Sequence, residues 1–230
     1  MIIDYDNFYK ASTLIHITQG AALFILGASE AYAHDNPESR AVLAGPLALI
    51  AAAVLIPLLV LALPGGWSIE QLRAALEIRK GFYLFMAFAC LFGAAGLSRL
   101  TQVSVKSGGG WQAFFLFFLA VSGALYFTMA WRVNEEAWRQ VLAWHAAIGT
   151  TLLLAVAAKT ANIFSGKRAL HVGWAVLLLV TGLQLLTYKE TPAAFGLRIV
   201  TFQAAPDLPA AKPASPSKNA GTADKKRSHH

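Results

Sequence analysis

The chain has 230 residues, 57% of them hydrophobic and 13% charged, with a mean hydropathy of +0.53. A soluble domain is about half apolar and about a quarter charged, so this composition excludes a soluble enzyme and points to an all-α, polytopic membrane protein whose main surroundings are a lipid bilayer. The formal net charge is +7, but five of the nineteen Lys and Arg residues lie between Lys212 and Arg227, so the charge reads as membrane topology and not as affinity for nucleic acid.

A helix crosses the hydrocarbon core with about 20 predominantly apolar residues. Six stretches qualify, over about 11–33, 41–63, 81–98, 112–131, 139–160 and 169–188. The first carries Ser12, Thr13, His16, Thr18, Gln19 and Glu30, a polar set that is expected to face the bundle interior. It follows Asp4, Asp6 and Lys10 and precedes five more spans, so it reads as a retained helix and not a cleaved signal. The second is almost wholly aliphatic with Pro46 and Pro57, the pattern of a lipid-facing helix with one or two kinks.

Pro64-Gly65-Gly66-Trp67 then marks a turn. Ser68 with Gln71 three residues on forms a capping box opening a short amphipathic helix on the membrane surface. The third span is the shortest, and the third and fourth are aromatic, with Tyr83, Phe85, Phe88, Phe92, Phe114, Phe115, Phe117 and Phe118. Lys106 to Gly110 is a flexible loop joining them. The single cysteine, Cys90, excludes an intrachain disulfide, a Cys-ligated cluster and two-cysteine haem attachment. After Gln203 the chain becomes Ala, Pro, Ser and Lys, so residues 204–230 read as a disordered basic tail, with His229 and His230 set aside as the remnant of a purification tag. With both termini in the cytoplasm, thirteen Lys and Arg residues lie inside and six, including Arg99, outside.

The chemistry concentrates on histidines. His16-Ile-Thr-Gln-Gly20 and His145-Ala-Ala-Ile-Gly149 place a glycine one helical turn after a histidine. Residues i and i+4 share a helix face, so each glycine is expected to leave a flat gap beside the imidazole, sized for a porphyrin edge. Spans one and five run in the same direction, and each histidine lies roughly 8 to 9 Å from the midplane at helical rise. Two imidazoles at one level are what bis-histidine ligation of haem iron requires. His171 and His34 lie on the opposite side, about 20 Å away by the same rise, as a second pair. Lys159 and Arg168, with Lys167, stand near that pair, and Arg132 and Arg139 near the first, where they suit haem propionates. Zinc is disfavoured, since no Cys, Asp or Glu stands at ligand spacing from His16 or His145.

His16 with Gly20, His145 with Gly149, and His171 with Gly173, together with the stretch from Trp144 to Leu186, resemble the polytopic b-type cytochromes of bacterial respiratory membranes. The resemblance covers about a third of the chain. It implies haem b held at His16 and His145, quinone as a substrate, a bacterial inner-membrane location, and a partner that is either another subunit of a redox complex or a c-type cytochrome. An electron-transfer subunit is implied in preference to a stand-alone enzyme. His16 and His34 are eighteen residues apart, about 27 Å at helical rise, farther than the two histidines that di-haem members place on one helix. One haem is therefore implied, with a second at His171 and His34 left open. Two other classes stay open: a transporter or channel using His16, Gln19, Glu30 and Lys159 as a polar path, and a structural or assembly subunit, including one in which histidine holds chlorophyll.

Overall fold

The computed structural model describes residues 5–36, 38–105, 110–191 and 194–195. Among them there is no strand, and seven α-helices account for most of the described residues: α1 (Tyr5–Asp35), α2 (Ala44–Ala62), α3 (Ile69–Ile78), α4 (Tyr83–Val105), α5 (Gly110–Tyr126), α6 (Glu135–Ser165) and α7 (Arg168–Thr187). The chain divides into residues 1–197 and 198–230. The second part, which holds the expected basic tail with His229 and His230, lies outside the described residues, as do Pro37 and the Lys106–Gly109 part of the expected loop.

Five helices are long and apolar enough to cross a membrane: α1, α2 with the 3₁₀ turn Arg40–Leu43 before it, α4 with the 3₁₀ turn Lys80–Phe82 before it, α6 and α7. The sixth apolar helix, α5, has 17 residues, about 26 Å against a hydrocarbon core of about 30 Å. The chain continues through the 3₁₀ turn Met129–Arg132, so the expected fourth span is a helix completed by a turn. The third span is longer than expected, 23 residues of α-helix, because Arg99 is not a loop residue. It lies within the helix and forms an ion pair with Glu30.

Local signals set the ends. Ser68 caps α3 by accepting from the Gln71 N–H at 3.4 Å. The reciprocal half of the capping box is replaced by the Gly65 carbonyl, which accepts from the Ser68 N–H at 2.8 Å. α6 ends at Gly166, whose φ of 65° is the left-handed conformation of a helix C-cap. In α2, Pro46 lies in the first turn, where a missing N–H costs nothing, so Pro57 alone interrupts the helix.

The six long helices close into an up-and-down ring in the order α1, α2, α4, α5, α6, α7 and back to α1, each packed on two neighbours. Small residues let the backbones approach. A Cβ built on Gly20 of α1 would stand 2.8 Å from the Gly182 carbonyl oxygen of α7, and one on Gly149 of α6 would stand 2.6 Å from the Gly123 carbonyl oxygen of α5. The centre of the ring is filled by Phe85, Phe88, Phe92, Phe115, Tyr126 and Trp174, all at most 1% exposed. Elsewhere Leu47, Val54, Leu55, Phe114, Phe117 and Leu183 point outward, which is the inside-out polarity of a bundle solvated by lipid. The protein is a multi-pass membrane bundle.

Candidate functional site

α1 and α6 are not neighbours in the ring, yet His16 and His145 reach across its interior and meet. Both are fully buried, and their Nε2 atoms lie 3.1 Å apart. Each Nδ1 is held by a carbonyl one turn back on its own helix, His16 by Ser12 at 2.7 Å and His145 by Val141 at 2.8 Å. A carbonyl oxygen can only accept, so both Nδ1 atoms carry the proton. Neutral rings in that tautomer present a lone pair at each Nε2, and the two lone pairs face one another.

A polar cradle holds this pair in place. Tyr188, just past α7, lies with its ring centroid 4.8 Å from both imidazoles, Phe85 meets His16 edge-on at 5.8 Å, and Tyr126 lies 6.2 Å from His145. Arg132, from the turn after α5, is buried at 3% exposure. Its Nη1 donates to Ser12 Oγ at 2.9 Å and its Nη2 lies 2.7 Å from Glu190 Oε2. Glu190 also accepts from Ser12 Oγ at 2.6 Å and from the Tyr188 hydroxyl at 2.7 Å. Burial alone would raise the Glu190 carboxyl, but Arg132 with these donors outweighs it and holds it down at about 2. Burial, then the Glu190 charge, pushes the Tyr188 hydroxyl up. Arg132 Nε makes no hydrogen bond, which leaves a buried N–H for a carboxylate or carbonyl at the edge of the histidine pair.

The glycines do something other than the sequence suggests. The faces beside His16 and His145 are not gaps, since Gly20 is filled by Gly182 and Leu186, and Gly149 by Gly123 and Phe127. Both serve helix packing. The porphyrin-edge reading of Gly20 and Gly149 is corrected accordingly.

At the other end of the bundle Glu30 is the hub. Its carboxylate pairs with Arg99, lies 3.7 Å from Lys159 Nζ and accepts from Trp174 Nε1 at 3.2 Å. His171 Nε2 donates to the Glu30 carbonyl oxygen at 2.9 Å, and its Nδ1 accepts from Lys159 at 3.0 Å. Both nitrogens are taken. His34 lies against it ring on ring, centroids 4.6 Å apart at 26°, which stacks the two imidazoles instead of aiming two nitrogens at one point. The structure thus arranges His171 and His34 as a hydrogen-bonded stack and not as a second ligand pair. Lys159 and Arg168 do lie at the His171 end as expected, but Lys159 is committed to Glu30 and His171, and Arg168 forms an exposed pair with Asp35 at 3.2 Å.

Sequence reasoning named Arg132 near the first pair but missed its partner Glu190, and missed the pairing of Arg99 with Glu30. A signal existed for the first: Arg132 follows the fourth apolar stretch and Glu190 the sixth, so alternation puts both at the membrane face that His16 and His145 approach.

The donor set decides what the pair can hold. Among the described residues no three His, Cys, Asp or Glu side chains gather as for a metal ion, so a bare zinc ion would lack two of its four ligands. Haem iron arrives with four ring nitrogens and asks for two axial ligands, and two Nε2 lone pairs with Nδ1–H fixed on carbonyls match it in kind, number and tautomer. Spacing is tighter. Two metal–nitrogen bonds of about 2.0 Å each would need the nitrogens about 4 Å apart, so the imidazoles would have to part by about 1 Å, and the aromatic rings around them would have to move for a macrocycle. Comparison with protein-family models, with curated proteins and with solved structures finds no match.

Proposed function

We propose that this protein is a membrane electron carrier of the b-type cytochrome kind, holding one haem b between His16 and His145. The observation that carries the reading is the pair of opposed Nε2 lone pairs, each fixed by an Nδ1–H bond to a main-chain carbonyl. When bound, haem b supplies reversible one-electron transfer at its iron. The chain's own residues do the rest. His16 and His145 would hold its iron through their Nε2 atoms, Phe85, Tyr126 and Tyr188 exclude water, and Arg132, its charge partly offset by Glu190, favours added negative charge at the site. The setting is a bacterial cytoplasmic membrane with both termini inside, the donor or acceptor being quinone on one side and another subunit or a c-type cytochrome on the other. A reduced-minus-oxidised absorption spectrum of the purified protein is expected to show a haem alpha band. The band disappears in His16→Ala and His145→Ala and persists in His171→Ala; a wild type without it, or a His145→Ala that keeps it, overturns the proposal.

A second reading rests on the same 3.1 Å distance. A proton shared between two nitrogens also removes the lone-pair clash, and would make the pair a station for proton movement in a transporter. Against a continuous polar path, Leu23, Leu26, Phe88, Phe92, Leu152 and Leu178, all fully buried, form an apolar layer between this end and the Glu30 end. Electrons cross such a layer; ions do not. Proton uptake by liposomes containing a chromophore-free protein, abolished in His16→Ala, would favour the second reading.

A further inference from the structure

We infer that the bundle carries a binding site for an anionic phospholipid, its acyl chain in a groove between α5 and α6 and its phosphate drawn to the Glu30 end. The site is separate from the histidine pair and does not depend on it.

Charge comes first. The cluster sets two cations, Arg99 and Lys159, against one carboxylate, Glu30. His171 adds no negative charge, and the other buried carboxylate among the described residues, Glu190, lies at the opposite end. One positive charge is left over in a setting where buried charges are normally paired, and Arg99 Nε makes no hydrogen bond.

A hydrogen-bond chain of fixed polarity runs from that cluster to the α5/α6 groove. Arg99 can only donate, so Gln102 must turn its oxygen to Arg99 Nη1, at 2.8 Å, and its amide nitrogen to Gln112 Oε1, at 3.2 Å. With its oxygen taken, Gln112 keeps its NH2 as a donor. The rim it stands on is the mouth of a cavity of about 440 Å³ lined further by Leu116, Phe117, Ala120, Val156 and Thr160. Gln112 and Thr160 lie at the Glu30 end, and from Gln112 to Ala120 the groove descends about 12 Å toward the bilayer centre at helical rise. Donors at the rim, a spare positive charge behind them and an apolar trough below match one ligand class, a phosphate-headed anionic lipid.

The test is native mass spectrometry of detergent-purified full-length protein, titrated with phosphatidylglycerol or phosphatidylcholine of identical acyl chains. Expected is about a five-fold preference for the anionic lipid, the effect of about one unshielded basic charge. Gln112→Leu removes the preference, and Ala120→Phe, which fills the trough, weakens retention of both lipids. Neither residue bears on the histidine pair, and thermal unfolding of both variants should match wild type. Equal retention of the two lipids by wild type, or a preference unchanged in Gln112→Leu, overturns the inference. So does loss of bound phosphatidylglycerol to millimolar inorganic phosphate with Ala120→Phe unaltered, which assigns the site to a free anion.

Discussion

The carbonyl oxygens of Ser12 and Val141 decide what the two central histidines offer, because they take the Nδ1 protons and turn both Nε2 atoms toward each other. Their charged neighbours make that end sensitive to single changes. Glu190→Gln leaves Arg132 buried without its counter-charge and is expected to lower stability by about 3–5 kcal/mol, whereas Arg132→Met with Glu190→Leu recovers most of the loss; thermal unfolding in detergent reads both. The same pair sets an acid limb. Glu190 falls from an ordinary 4.5 to about 2 in the folded chain, so in that window the unfolded state binds more protons and stability rises with pH. The contribution is present above 4.5 and is lost as pH falls toward 2. Melting temperature measured down that range should drop more steeply for wild type than for Glu190→Gln, and parallel curves would contradict the assignment. None of this could be read from Glu190 in the sequence, where it stands one residue beyond Lys189 in a polar segment; its burial is a tertiary fact.

At the scale of helices the sequence was most legible, because apolar length and turn chemistry act locally. All six expected spans overlap helices, and Ser68 does open α3. The misjudged element was α4, which runs on to Val105 and carries Arg99 to Glu30, sixty-nine residues away in sequence. Glycine was the other failure. A glycine beside a histidine looks the same whether a ligand or a neighbouring helix fills the space, and here α7 and α5 fill it. Gly20→Ala and Gly149→Ala should each destabilise the bundle by about 1–3 kcal/mol through overpacking. Gly173→Ala, where a Cβ meets nothing within 4 Å, should leave it unchanged or gain up to about 1 kcal/mol of helix propensity. Equal melting temperatures for Gly20→Ala and Gly173→Ala would contradict the close α1/α7 seam.

Over the whole molecule, an antiparallel ring puts one polar cluster near each membrane face and an apolar, aromatic layer between them. Alternation of the spans made the two levels visible in advance, including the shared depth of His16 and His145. Which polar groups bond to which was not visible, because that depends on ring order, and six helices of similar composition admit many orders. The same architecture fixes sidedness. In a Cys90→Ser background, Trp67→Cys and Trp131→Cys, both exposed, should label from one side of sealed vesicles and Phe164→Cys from the other, and labelling of all three from one side would contradict the bundle's topology.

The central claim, axial ligation of one haem iron by His16 and His145, is met most directly by electron paramagnetic resonance of the oxidised, purified protein. The account predicts a low-spin bis-imidazole signal in wild type that turns high-spin or vanishes in His145→Ala and stays in His171→Ala. A wild type with no ferric haem signal, or a low-spin signal indifferent to His145, would contradict it.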